Sequence, residues 1–211
     1  MHDKLEFQSF LKRHNISETA YNLFESYETI LRDKNKKINL VSNSSIEKIW
    51  LTHFFDSILI ADVIDLGDSR VLDFGSGGGF PGIPLKIIYP SIKLFCVESI
   101  RKKVLFLKFL KQELKLSETS IIHSRFEYLD QNLENSFDYI TVRAVKMNDE
   151  YFRKSFSLLK PSGKLILYKS EVNIDEVDKI KQYADCETTE IIRKEYSGLG
   201  KRALIIVKKH G

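Results

Sequence analysis

The chain has 211 residues, a length most simply read as one folding unit with a small appendage. A hydrophobic share of 43% supports a full core, and 29% charged residues is the balance of an ordinary soluble globular protein. The opening MHDKLEFQSFLKRH carries charge throughout and lacks the apolar stretch of a secretory signal. The most apolar later run, WLTHFFDSILIADVI, is broken by His53, Asp56 and Asp62, so no membrane span is expected. Cys96 and Cys186 stand far apart and form no CxxC pair, which argues against a structural zinc and fits a reducing, cytoplasmic setting. The net charge of +4 tolerates a polyanionic partner without demanding one.

From Leu5 to Ile64 the hydrophobic period is helical. Ser17 is expected to cap a helix, with Ile16 and Tyr21 as its hydrophobic staple. Ala20, Leu23, Phe24, Tyr27, Ile30 and Leu31 then share one apolar face, and the polar stretch RDKNKKIN ends it. Ser44 and Glu47 have capping-box spacing before a third helix through Ile49, Trp50, Phe54 and Ile58.

From Arg70 onward short β-rich runs alternate with helical ones. Strands are expected at 70–74, 93–98, 120–124, 137–142 and 164–169, and helices near 82–89, 101–116, 148–159 and 174–184. Such alternation indicates βαβ units and a parallel sheet covered on both faces. The tail differs: CETTEIIRKEY and RALIIVKK are joined by SGLGK with no helix between them, which reads as a hairpin. The expected architecture is α/β, a Rossmann-like sheet of the class I methyltransferase type closed by an antiparallel C-terminal hairpin. Residues 1–66 form an N-terminal helical extension and 67–211 the nucleoside-binding domain. A dehydrogenase half would more often continue βαβ.

The stretch VLDFGSGGGFPG at 71–82 asks for little side chain where the first strand hands over to a helix. Glycine permits positive φ there and lets backbone N–H groups approach a ligand. Asp73 can orient that loop or reach a ligand amine, and Glu98, ending the next strand, can accept both hydroxyls of a ribose. Asp73-x-Gly75-x-Gly77-x-Gly79 fits an S-adenosylmethionine loop, whereas Gly77-x-Gly79-x-x-Gly82 formally fits the dinucleotide pattern. Asp73 ahead of the glycines favours the first. So do Pro81 and Pro84, which crowd the helix start where a pyrophosphate would want free N–H donors.

The neighbouring stretches go further. INL at 38–40, HFFDS at 53–57, VLDFGSGGGFPGIPL at 71–85, SRFE at 124–127, VRAV at 142–145 and GKRALIIVKK at 200–209 together resemble the RsmG (GidB) family of bacterial rRNA methyltransferases along nearly the whole chain. The resemblance implies methyl transfer from S-adenosylmethionine to N7 of one guanine in the decoding-region loop of 16S rRNA, free or within a 30S subunit or assembly intermediate. It maps cofactor contacts onto Gly75, Phe80, Phe126, Glu127 and Arg143, which join Asp73, Gly77 and Glu98 from the reading of the loop. Asn39, His53, Arg125 and Arg202 fall at RNA-side or structural positions. Three residues depart from the family pattern: Glu98 for a usual Asp, Val41 for a usual Thr, and Arg101 for a common glycine.

No nucleophile–base pair, carboxylate dyad or metal cluster is evident, and no metal is expected. Guanine N7 carries an in-plane lone pair and no proton at neutral pH, so it needs no general base. Amine methylation would call for an Asn/Asp-Pro-Pro-aromatic loop after the fourth strand, where TVRAVKM stands instead. Arg143, at the C-terminal end of that strand, is the expected catalytic residue, bonding guanine O6 or the cofactor carboxylate. His53 and Asp56, one helical turn apart, lack a third metal ligand and more simply fix the helical extension to the sheet. RNA contact is expected first from Arg32, Lys34, Lys36 and Lys37 and from Lys201, Arg202, Lys208 and Lys209, which fall in loops or strand ends. Among the basic residues of 101–115, Lys108 to Lys115 read rather as a solvated helix face. A small-molecule methyltransferase and, less favoured, a nicotinamide oxidoreductase are the alternatives.

Overall fold

A computed structural model of the chain describes residues 2–196 and 198–211; Met1 and Ser197, the latter in the SGLGK connection, lie outside the described residues. Seven strands make one sheet: β1 Arg70–Phe74, β2 Lys93–Glu98, β3 Thr119–His123, β4 Phe137–Arg143, β5 Leu159–Lys169, β6 Cys186–Tyr196 and β7 Gly200–Lys209. Their order is β3-β2-β1-β4-β5-β7-β6, parallel from β3 to β5, with β7 antiparallel to both neighbours. The chain runs outward from β1 in one direction and from β4 in the other. Sheets of this kind open a crevice at such a reversal, outside the C-terminal strand ends.

The parallel strands read as apolar runs because both their faces are covered. Val71, Leu72, Asp73 and Phe74 are all buried. On one face lie α1 His2–Arg13, α2 Glu18–Asn35, α3 Asn43–Ile46, a π-helical segment Trp50–Phe55, α4 Asp56–Ile58, α5 Gly82–Ile88 and α6 Arg101–Glu113. Phe24, Phe54, Ile83 and Leu107 from these elements share one apolar cluster with Val71, Ile166 and Ile206 of the sheet. The other face carries α7 Asp149–Leu158 and α8 Ile174–Lys181, whose Phe156 and Ile180 pack on Leu72, Ile140 and Ile205. Every residue of α5 is buried between the sheet and the N-terminal helices. Lys86 is carried inside with it, and its Nζ donates to the carbonyls of Pro90 (2.7 Å) and Ile92 (2.6 Å), which offsets its desolvation.

Three local expectations change. The third helix is capped by Ser42, whose Oγ accepts from Ser45 N at 3.2 Å, not by Ser44. The helix expected through 49–58 is broken into α3, the π segment, α4 and a 3-10 turn at Leu59–Asp62. Side-chain hydroxyls compete for its carbonyls: Thr52 donates to Lys48 O and Ser45 O, and Ser57 donates to His53 O. Strand β5 also begins at Leu159 rather than Lys164, because buried Leu159 joins the ladder opposite Phe137.

Helix α2 grips the glycine loop. Fully buried Tyr27 donates its hydroxyl to Gly78 O and stacks its ring on Phe80, with centroids 5.4 Å apart and planes 10° apart. Gly79 has φ +101°, and a Cβ there would meet the Tyr27 hydroxyl and lie 2.9 Å from Ile83 Cγ1. Gly79→Ala therefore combines backbone strain with a clash, and is expected to lose about 2 kcal/mol or more. Urea unfolding measures this; an unshifted midpoint would show that α2 does not constrain the loop.

Candidate functional site

The loop takes its shape from one carboxylate. Asp73 is 0% exposed; Oδ1 accepts from Thr141 Oγ1 at 3.1 Å and Oδ2 from Gly82 N at 3.2 Å. Burial pushes its pKa up to about 6, against the opposing hydrogen bonds of Ser76, Thr141 and Gly82. A Cβ at Gly82 would sit 2.8 Å from Asp73 Oδ2, so only glycine admits this approach. Asp73 thus binds β1 to β4 and to the start of α5, behind the crevice and not within it.

Above the ends of β1, β2 and β3 is a cavity of about 320 Å³, bordered by Phe74, Gly75, Glu98, Arg125, Phe126, Glu127 and Tyr151. Glu98 is 6% exposed, and both its oxygens accept backbone N–H groups, Oε2 from Gly77 (2.9 Å) and Oε1 from Ile100 (2.8 Å). A carboxylate oxygen has two lone pairs, so each retains capacity for a further donor. Phe126 stacks on Phe74 with centroids 3.8 Å apart. Gly75, with φ +72°, lies under the loop after β4: a Cβ there would be 2.7 Å from Val145 Cγ2. Of the expected cofactor residues, Gly75, Glu98, Phe126 and Glu127 therefore meet at one cavity, with Arg125 exposed at its rim. Gly77 shapes it through its bond to Glu98.

Arg143 and Phe80 face elsewhere. Arg143 Nη1 donates to Asp56 Oδ2 (2.9 Å) and Thr52 O (3.2 Å), and Nη2 donates to His53 Nδ1 (2.8 Å). Its guanidinium lies 5.1 Å from the centroid of Phe80, on which the His53 ring also stacks at 4.7 Å. Asp56 Oδ1 accepts from Arg202 Nε at 2.8 Å, so one carboxylate joins two arginines. His53 and Asp56 do anchor the helical extension to the sheet, and they do so through Arg143. Asn39 is exposed, and the loop that carries it is built by buried Asn35, whose Oδ1 accepts from Leu40 N (2.9 Å) and Val41 N (3.0 Å). Asn35 lies in a polar stretch with nothing in its sequence context to single it out. Among the described residues no three His, Cys, Asp or Glu side chains are placed to hold a metal, and no helix is long and apolar enough to cross a membrane.

Because Nδ1 of His53 accepts from Arg143, Nε2 carries the ring proton and donates to Ser45 Oγ at 2.9 Å. Burial first, and the Arg143 charge second, push its pKa from 6.5 down to about 3. The unfolded chain takes up a proton there below about pH 6.5 and the folded chain does not. The stability this contributes is full above that pH and is lost as pH falls toward 3. Nitrogen-15 NMR of the His53 ring should show a neutral Nε2–H tautomer with no inflection between about pH 5 and 8. An inflection near the ordinary histidine value would contradict the Arg143 contact.

The comparisons with known proteins agree with this geometry. The family model described as rRNA small subunit methyltransferase G matches residues 20–205. Ribosomal RNA small subunit methyltransferase G of Mycoplasma capricolum is 34% identical over 201 residues, covering 94% of this chain and 87% of that protein. Its counterpart in Staphylococcus aureus strain JH9 is 35% identical over 175 residues, covering 81% and 73%. Among solved structures, a tRNA methyltransferase of Aquifex aeolicus superposes with a TM-score of 0.61 at 18% identity, over 74% of this chain and 68% of that one, a likeness of fold. The sheet has the fold of class I S-adenosylmethionine-dependent methyltransferases. By sequence the chain belongs to the GidB family of small-subunit rRNA methyltransferases.

Proposed function

We propose that the chain methylates N7 of a guanine in the decoding-region loop of 16S rRNA, in the cytoplasm, on naked RNA, a 30S subunit or an assembly intermediate. The observation that carries the reading is the cavity joining Gly75, Glu98 and Phe126 at the strand tips, in a chain of this family. The residues there suit the cofactor. Glu98 keeps lone pairs for ribose hydroxyls, Phe126 and Phe74 offer an apolar wall, and Gly75 leaves the floor bare. When bound, S-adenosylmethionine supplies an electrophilic methyl group on a sulfonium sulfur.

The rest of the chemistry is placement. The guanine N7 lone pair needs no proton removed, and two groups near the site that carry basic lone pairs are engaged in the fold. Asp73 is buried behind the loop, and the free lone pair of His53 is taken by Arg143. Alignment alone can supply roughly 7–11 kcal/mol of barrier lowering. Arg143, fixed at the end of β4, has a guanidinium whose remaining N–H groups suit guanine O6 without touching N7. On the RNA side the fold merges two basic runs: Lys34 lies 4.8 Å from the ring centroid of Phe109, which brings the end of α2 against α6 and its exposed Arg101, Lys102 and Lys108.

Methyl-labelled S-adenosylmethionine supplied with small-subunit RNA from a strain lacking the enzyme should place the label on N7 of one guanine. Label confined to small metabolites would overturn the reading. Glu98→Gln exchanges an acceptor for a donor beside Gly77 N or Ile100 N. It should weaken cofactor binding by about 1.5–3 kcal/mol, roughly tenfold to a hundredfold, in calorimetric titration. Wild-type affinity would remove Glu98 from the cofactor site.

A further inference from the structure

A second cavity, also of about 320 Å³, lies at the same end of the sheet but over its other half. Four cations border it, one from each of four adjacent strands: Arg143 ends β4, Lys169 ends β5, Lys194 lies in β6 and Arg202 in β7. They are scattered along the sequence, and strand register gathers them. Arg143 pairs with Tyr168, Lys169 with Ala203, and Lys194 with Arg202. The only carboxylates bordering the cavity among the described residues are Asp56 and Glu171. Asp56 is shared between Arg143 (2.9 Å) and Arg202 (2.8 Å), which leaves that trio one net positive charge. Lys194 is held by Asp62, which ends the 3-10 turn whose Leu59 lines the cavity, and Lys169 by Glu176 of α8, each at 2.8 Å. Side chains of Lys194 and Arg202 remain 40% and 24% exposed.

The cavity adjoins the cofactor cleft. Gly75 borders the cleft, Val145 borders this cavity, and the two residues are in contact through the space a Cβ on Gly75 would fill. We propose that this second cavity binds a backbone phosphate of the RNA strand beside the target base, with Lys194 and Arg202 as its direct contacts and Asp56 positioning the two guanidiniums. The proposal rests on the rRNA reading above. Oriented guanidinium and ammonium donors around a concave space, with Lys194 and Arg202 still partly exposed, suit a phosphodiester. The basic run at the chain's end does not contribute: Lys208 pairs with Lys164 at the opposite end of β7 and bonds Glu187 at 2.9 Å.

The test is binding of a labelled single-stranded oligoribonucleotide to the full chain across a salt series, with S-adenosylmethionine affinity measured on each variant as a check of folding. Lys194→Gln and Arg202→Gln should each make the log–log salt dependence shallower by about one unit. Lys194→Arg should restore the wild-type slope, and Lys208→Gln should leave it unchanged. Should Arg202→Gln lose cofactor affinity, the Lys194→Gln and Lys194→Arg pair decides alone. Unchanged slopes in that pair, or an equal loss in Lys208→Gln, overturn the phosphate site. A chain that methylates small-subunit RNA with unchanged slopes refutes this proposal only. A chain that shows the expected slopes but transfers no methyl group refutes the functional reading and leaves the phosphate site standing.

Discussion

The site depends on the buried carboxylate of Asp73. It joins three elements that the chain visits at different times: β1, which carries it, β4 through Thr141, and α5 through Gly82 N. A charge-bearing group with no exposure is costly unless its partners are in place, and the rise of its pKa to about 6 expresses that tension. With the carboxylate held, the glycine loop has one path. That path turns Gly77 N toward Glu98 and lays Phe80 back against Tyr27. The cavity over the strand tips is the space this arc leaves.

The helical extension is part of the same construction. Its apolar residues share a core with the sheet, and its polar ones converge on Arg143. Stacking continues from Tyr27 through Phe80 to His53, so the loop is pinned from below by α2 and from the side by the π-helical segment. The extra residue per turn in that segment is a local departure of the kind often found at functional positions. Here it accompanies the presentation of Thr52 O, His53 and Asp56 to a single guanidinium. A loop held this firmly suits a reaction in which alignment carries the rate.

Much of this was legible in the sequence because the signals were periodic or compositional. The bounds of β1 and β2 follow from apolar runs ended by Asp73-Phe74 and Glu98, and the hairpin from two β-rich runs with no helix between them. The glycine loop announced its place, since few other residues accept φ near +72° or +101°. What escaped was what depends on partners distant in sequence. Nothing near Asp73 tells whether its carboxylate faces a ligand or the protein. The strand end that carries Arg143 was evident, and its three N-terminal partners Thr52, His53 and Asp56 were not. The terminal basic run looked like one patch, yet β7 carries Arg202 to one end of the sheet and Lys208 to the other. Ser44 lost the cap to Ser42 because hydroxyl–amide geometry, not spacing, chooses between neighbouring serines.

The central claim is that the cofactor lies over the tips of β1 and β2, with Glu98 at its ribose. A crystal structure of the chain with S-adenosylmethionine tests it directly. The account predicts the nucleoside between Gly75 and Phe126, both ribose hydroxyls on the Glu98 carboxylate, and the sulfonium directed toward the end of β4. A nucleoside bound elsewhere on the sheet, or ribose hydroxyls that leave Glu98 untouched, would contradict it.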